Sequence, residues 1–212
     1  MKLTVFGATG GVGREVVRQA LDAGHEVTAV VRDPARFTVT GERLEVFRSD
    51  LADAGALRGA VAGRDAVLSG LGARNRADAA SGVAARLTRP VLAAMDAEGV
   101  RRLVVVSAAP VGPAAEGDGL LDKAVLAVVG NVLKDVYADL RVMESELAAS
   151  AADWTSVRPP KLTDRPLTGR YRTVVGGTPA RGRTLARADV AHAMLAVLAD
   201  PSTFRRGVGV AY

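Results

Sequence analysis

The chain has 212 residues, a net charge of +5 and no cysteine. That length suits one α/β domain with a core large enough to need no cross-links, and the lack of cysteine excludes disulfides, thiolate metal sites and cysteine nucleophiles. The basic residues are scattered and aromatic residues make up only 4% of the chain, so no stacking platform for nucleic acid is expected. Met1 to Phe6 reads as a core strand rather than a signal peptide, and no apolar run reaches membrane-spanning length. A cytoplasmic protein with neither a nucleic-acid nor a membrane partner is expected; its oligomeric state, monomer or dimer, is left open.

Leu3-Thr4-Val5-Phe6 leads into Gly7-Ala8-Thr9-Gly10-Gly11-Val12-Gly13, and a helical pattern runs on from Arg14 to Ala23. Strand, glycine-punctuated turn and helix is the context in which glycine spacing points to a dinucleotide. Gly7 can turn the chain off the strand, Gly10 lets backbone approach a pyrophosphate, and Gly13 lets the helix lie close on the strand. The N–H groups and positive end of that helix then face the phosphates. Glu26 to Val31 is a second strand, β-branched and continuously apolar, as a sheet covered on both faces requires. Leu44 to Phe47 is a third, followed by a helix over Asp53 to Ala62 with Asp53 as its cap. Ala66 to Ser69 is a fourth strand.

Val83 to Glu98 is helical and closes at Gly99; Pro90 inside it predicts a kink or two pieces. Arg102 to Ser107 is the clearest buried strand, and Ala108 to Gly119 is a loop. Leu120 to Ala149 is mostly helical with a break near Gly130-Asn131. Trp154 to Arg158 is a sixth strand stopped by Pro159-Pro160, and Lys161 to Thr184 is Gly/Pro-rich with strand-like pieces such as Tyr171 to Val175. Arg187 to Leu198 is a helix and Val208 to Tyr212 a final strand. The alternation predicts a Rossmann-like, doubly wound, mostly parallel sheet with helices on both faces. The whole chain, 1–212, is expected to form one such domain, with substrate-side elements in 108–131 and 161–184.

In such sheets ligands bind at the C-terminal edge of the strands. The glycine turn, Arg32, Asp50, Gly70 to Arg74, Ser107 and Arg158 to Lys161 all follow strands. Arg32 comes about 20 residues after the glycine turn, where an NAD site has a ribose-reading carboxylate; a guanidinium there can fork onto a 2′-phosphate, with Arg36 one turn on. This points to NADPH over NADH, although Asp33 can meet a 2′-hydroxyl. Asp50 and Leu51 can border the adenine, or Asp50 can cap the next helix. Gly70-Leu71-Gly72 lets backbone pass near the nicotinamide ribose. Ser107 can donate to a substrate carbonyl or to the cofactor amide. His25 and His192 read as structural, and two separated histidines without cysteine make no transition-metal site. No G-x-S-x-G elbow occurs. A Tyr-x-x-x-Lys pair is absent too: Tyr137 precedes Arg141, which reads as a surface helix.

These stretches resemble the atypical short-chain dehydrogenase/reductases of the NAD(P)H-binding, NmrA-like group. The likeness rests on the glycine turn, Val31-Arg32-Asp33-Pro34, Asp50-Leu51, Leu71-Gly72-Ala73-Arg74-Asn75, Val106-Ser107-Ala108, and Pro159-Pro160 followed by Asp164 to Tyr171. Within the group the chain is most similar to NADPH-dependent flavin reductases of the biliverdin reductase B type. The resemblance implies that Gly7, Thr9, Gly10, Gly11, Val12 and Gly13 hold the pyrophosphate and that Arg32 and Arg36 take the 2′-phosphate. It places Asp50 and Leu51 at the adenine, Gly70, Leu71, Gly72 and Arg74 along the ribose side, and Ser107 at the nicotinamide and substrate. Pro160, Lys161 and Leu162 would complete the nicotinamide pocket. Lys161 stands where those enzymes have a histidine, and the segment Ala114 to Asn131 differs from theirs, so their tetrapyrrole substrate does not carry over.

An NADPH-dependent reductase passing hydride to a planar acceptor, flavin or quinone-like, is therefore expected, with Ser107 and Lys161 as the catalytic candidates and no metal. The alternative is an NmrA-type redox sensor that binds NADP(H) without turnover and acts through a protein partner.

Overall fold

Continuously apolar strands need cover on both faces, and the helices of this chain supply it. The computed structural model describes residues 1–73, 76–115 and 133–212. In chain order the described elements are β1 Lys2–Phe6, α1 Gly11–Asp22, β2 Glu26–Val31, β3 Leu44–Arg48, α2 Ala54–Val61, β4 Ala66–Ser69, α3 Arg76–Ala80 and α4 Val83–Ala97. There follow β5 Arg102–Val106, α5 Lys134–Ala149, β6 Asp153–Arg158, β7 Lys161–Thr163, β8 Arg172–Val175, β9 Thr184–Ala186, α6 Arg187–Ala196 and β10 Arg206–Ala211.

Eight strands form one sheet in the order β3-β2-β1-β4-β5-β6-β10-β8; all its pairings are parallel except β10 with β8. The short β7 and β9 pair in parallel apart from it, Lys161 opposite Thr184. One face carries α1 and α6, whose Val16, Ala20, Val190 and Met194 pack on Leu3 and Val5. The other carries α2, α4 and α5, whose Leu57, Met95, Met143 and Leu147 pack on Phe6 and Leu103. From β1 the chain runs outward through β2 and β3, then returns to β4 on the other side of β1. The crevice at that reversal, above the C-terminal ends of β1 and β4, is where such sheets take a ligand.

The doubly wound, mostly parallel architecture predicted from the alternation is thus observed. Three local features differ. Helix α4 runs continuously through Pro90, held by the buried Val91, Ala94 and Met95 beyond it. Its N-terminus is capped not locally but by Asp139 of α5, whose carboxylate accepts from Ala84 N at 2.8 Å and Ala85 N at 3.0 Å. Helix α3 was not foreseen; its five residues are too few to show a period, and Gly82 in the left-handed region separates it from α4. The expected helix over 120–149 is observed as α5, and residues 116–132 lie outside those described.

Candidate dinucleotide site

Gly7 leaves β1 with φ +71°, a left-handed turn that glycine adopts without strain. Its carbonyl accepts from Gly10 N at 2.9 Å, and the Gly10 carbonyl accepts from Arg14 N at 2.9 Å. Helix geometry leaves the N–H groups of Gly11, Val12 and Gly13 without intrahelical acceptors. Gly10 offers no side-chain cap, and no acidic residue stands in the first turn of α1. A Cβ on Gly10 would lie 3.2 Å from the Gly7 carbonyl oxygen, and one on Gly13 would collide with that same oxygen. The result is a bare backbone cradle, positive at its centre, that side chains would fill. Thr9 borders it half-buried.

Arg32 and Arg36 follow β2 and are both exposed; Arg36 ends a single 3₁₀ turn, Pro34–Arg36. Neither guanidinium has a hydrogen-bond or ion-pair partner among the described residues. Asp33, the carboxylate that a ribose 2′-hydroxyl would need, gives one oxygen to its own turn, Oδ1 accepting from Ala35 N at 3.1 Å, and keeps Oδ2. After β3, Asp50 Oδ1 accepts from Ala52 N at 3.0 Å, while Asp53 caps α2 through Gly55 N and Ala56 N. Asp50 is therefore a turn residue and not the helix cap. Between them Leu51 is buried at φ +67°, a conformation non-glycine residues seldom hold, and such strain concentrates at ligand sites. Leu51 and Ala52 also line a cleft of about 440 Å³ against Arg86, Arg89 and Pro90 of α4.

Gly70 closes β4 onto β1, its N–H donating to the Phe6 carbonyl at 3.0 Å. Leu71 is buried; Gly72 is exposed, and a Cβ on it would meet nothing within 4 Å. The protein's own packing does not demand glycine at 72. Arg74 lies outside the described residues.

Ser107 ends β5. Its N–H donates to the Val157 carbonyl at 2.8 Å, and Ala109 N donates to the Pro159 carbonyl at 2.9 Å, so the ends of β5 and β6 are fastened together. The Ser107 hydroxyl is buried and, among the described residues, makes no hydrogen bond of ordinary geometry. Beneath it Glu144 of α5 accepts from Ser156 Oγ at 2.6 Å and from Arg158, at 3.0 Å from Nε and through a short second contact from Nη2. Burial pushes the Glu144 carboxyl up; hydrogen bonds from Arg158 and Ser156, with the Ser107 hydroxyl close by, outweigh it and hold it below its ordinary value. Arg158, expected at the ligand edge, is instead spent on this buried pair. Pro160 is half-buried, Lys161 exposed, and Leu162 packs on the α1–α6 core.

Tyr137 faces the interior rather than solvent, with its hydroxyl pKa raised by burial, and Arg141 donates to the Pro110 carbonyl at 3.2 Å. No Tyr–Lys pair stands beside Ser107. The Tyr171 hydroxyl and His192 Nδ1 are hydrogen-bonded at 2.7 Å and His25 Nδ1 lies 3.2 Å from the N-terminal amine, both structural contacts. Among the described residues no group of His, Cys, Asp or Glu could hold a metal, and no helix is long and apolar enough to cross a membrane. Sequence reasoning missed Glu144, which lies within α5, and Arg187, which follows the three-residue β9 and opens α6; Arg187 lies against the start of α1 and pairs with Asp164 at 2.6 Å. No spacing rule marks either one.

A parallel sheet with a glycine turn at its switch point is a Rossmann-type α/β fold. The chain belongs to the NAD(P)H-binding family, whose model matches residues 7–201. It is 34% identical over 159 residues to the (4-alkanoyl-5-oxo-2,5-dihydrofuran-3-yl)methyl phosphate reductase of Streptomyces griseus, a match covering 74% of this chain and 46% of that protein. The chain thus spans less than half the length of that relative. A candidate NADH-flavin reductase from Streptococcus pneumoniae superposes with a TM-score of 0.80 at 22% identity, covering 100% of this chain and 99% of the other. A short-chain dehydrogenase/reductase from Veillonella parvula, solved in complex with NADP, gives 0.77 at 22% identity over 100% and 94%. At these identities the likeness is one of fold, and it agrees with the atypical short-chain dehydrogenase/reductase group expected from the motifs.

Proposed function

We propose that the chain is an NADPH-dependent reductase that delivers hydride to a planar acceptor such as a flavin or quinone. The observation that carries this reading is the Ser107 hydroxyl: buried, directly after β5, and with no hydrogen bond of ordinary geometry among the described residues, although it lies near enough to Glu144 to help lower that carboxyl's pKa. An unsatisfied buried hydroxyl costs stability unless something bonds it. In this reading residues 1–212 form one domain. Gly7, Thr9, Gly10, Gly11, Val12 and Gly13 cradle the pyrophosphate, and Arg32 and Arg36 hold the 2′-phosphate. Asp50 and Leu51 border the adenine; Gly70, Leu71, Gly72 and Arg74 follow the ribose. Ser107, Pro160, Lys161 and Leu162 shape the nicotinamide end, and 108–131 with 161–184 form the acceptor side.

NADPH, when bound, supplies the hydride. The protein orients the two rings and excludes water between them, while the acceptor takes its proton from solvent, so no Tyr–Lys pair is required. The relatives include a phosphate-bearing butenolide reductase and a candidate flavin reductase, which supports reduction as the activity. The test is stopped-flow NADPH oxidation with FMN, FAD and quinones; no turnover above free NADPH with any of them removes the reductase reading. Burial of Tyr137 and the engagement of Arg141 favour a second reading, a sensor that binds NADP⁺ and NADPH with different affinity and oxidises neither. Titration of both forms beside the turnover assay separates the two.

A further inference from the structure

Arg187 is the first residue of α6, the helix that packs beside α1. Its side chain lies against Gly11, at the start of α1. A Cβ on Gly11 would lie 2.5 Å from Arg187 Cδ and 2.9 Å from Nε, so a side chain at 11 would push the arginine aside from its present course. Beyond the turn, Arg187 Nη1 donates to Asp164 Oδ1 at 2.6 Å. The Asp164 side chain is 88% exposed and that of Arg187 33%. A pair this open contributes little to stability, so a stronger anion displaces the carboxylate at little cost. The turn itself offers backbone N–H groups only, whereas a guanidinium grips two phosphate oxygens at once.

We propose that Arg187 is a further cofactor-binding cation, one that takes the pyrophosphate, and that Asp164 is the counter-ion it leaves when the cofactor binds. This rests on the dinucleotide reading above. Arg32 and Arg36 then read the 2′-phosphate, which distinguishes NADPH from NADH, and Arg187 reads the part both share. The exchange need not unfold the Asp164 loop, because Asp189 of α6 anchors its far end, accepting from Gly169 N at 2.8 Å and Thr168 N at 3.1 Å.

The experiment is fluorescence and calorimetric titration of wild type, Arg187→Gln, Arg187→Lys and Asp164→Asn with NADPH, NADH and 2′-AMP, which lacks the pyrophosphate. Arg187→Gln should weaken NADPH and NADH by the same factor, about tenfold, the size of one charge-assisted hydrogen bond, and leave 2′-AMP unchanged. Arg187→Lys should restore part of the loss. Asp164→Asn should tighten both dinucleotides about threefold, the scale of an exposed ion pair. Equal weakening of 2′-AMP would make Arg187 a structural residue and overturn the proposal, as would unchanged binding of both dinucleotides by a folded Arg187→Gln protein. Wild-type protein that binds neither dinucleotide overturns the dinucleotide reading and this one with it.

Discussion

Gly7 and Gly70 approach so closely that a Cβ on Gly7 would sit 2.7 Å from the Gly70 carbonyl carbon. The contact fastens the C-terminal ends of β1 and β4, and the crevice between them opens from it. Gly7 also holds φ +71°. Alanine at this position meets both the left-handed strain and a backbone collision, together about 3 kcal/mol. For a chain of this size the expected fall in Tm is roughly 6–12 °C, read by calorimetry. A Gly7→Ala protein that melts like wild type would show that the two strand ends can part freely.

The sheet was legible because its strands are continuously apolar and its turns carry glycine or proline. Arg32, Ser107 and Pro160 were nominated by position, the first two directly after a strand and Pro160 two residues after one. What the sequence hid are the tertiary contacts. Asp139 caps a helix more than fifty residues away from it in the chain. Arg158, at a strand end like the others, turns inward because Glu144 waits on α5 at a spacing no local rule links to it. Arg187 opens a helix in the last quarter of the chain and reaches a turn in the first, which only the packing of α6 on α1 brings about.

Arg32 and Arg36 stand exposed without partners among the described residues, two cations where a 2′-phosphate would lie, and Asp33 gives one carboxylate oxygen to its own turn. Arg32→Ala should therefore weaken NADPH by about 10–100-fold, the range for hydrogen bonds to a charged group, while NADH changes little. Equilibrium titration with both cofactors checks this. Equal loss for both would make Arg32 a bystander to the 2′-phosphate.

Two buried carboxylates set the acid limit. Burial pushes Asp189 up, but hydrogen bonds from Tyr212, Gly169 and Thr168 outweigh it, and the net pKa is lowered; Glu144 is lowered through Arg158 and Ser156. Unfolded values are about 3.9 and 4.3. Folded pKa values below these mean that both groups stabilise the fold above that range and lose the contribution as pH falls through the folded values. Urea midpoints should stay level from pH 7 to about 5 and drop steeply below about 4. An unchanged midpoint at pH 3 would remove both carboxylates from the account.

Lys161 is exposed where β7 begins, one residue beyond the half-buried Pro160. A cation so placed would attract an anionic acceptor in the reductase reading. With FMN as acceptor, Lys161→Ala should raise KM several-fold and leave kcat within about twofold, the signature of lost ground-state binding. A fall in kcat of a hundredfold at unchanged KM would assign Lys161 to the chemical step.

Ser107 separates function from stability. Its hydroxyl is buried and makes no hydrogen bond of ordinary geometry among the described residues, so Ser107→Ala removes an under-satisfied group and gives up only its weak influence on Glu144. The variant should melt at the wild-type temperature or slightly above it. If the hydroxyl meets the nicotinamide carboxamide or the acceptor, the same change should lower kcat/KM by about tenfold, one hydrogen bond's worth. The two readouts move in opposite directions only when the missing partner is a ligand. A lower Tm with unchanged kcat/KM would mean that the hydroxyl serves the fold, through Glu144, and that the nicotinamide end of the site lies elsewhere.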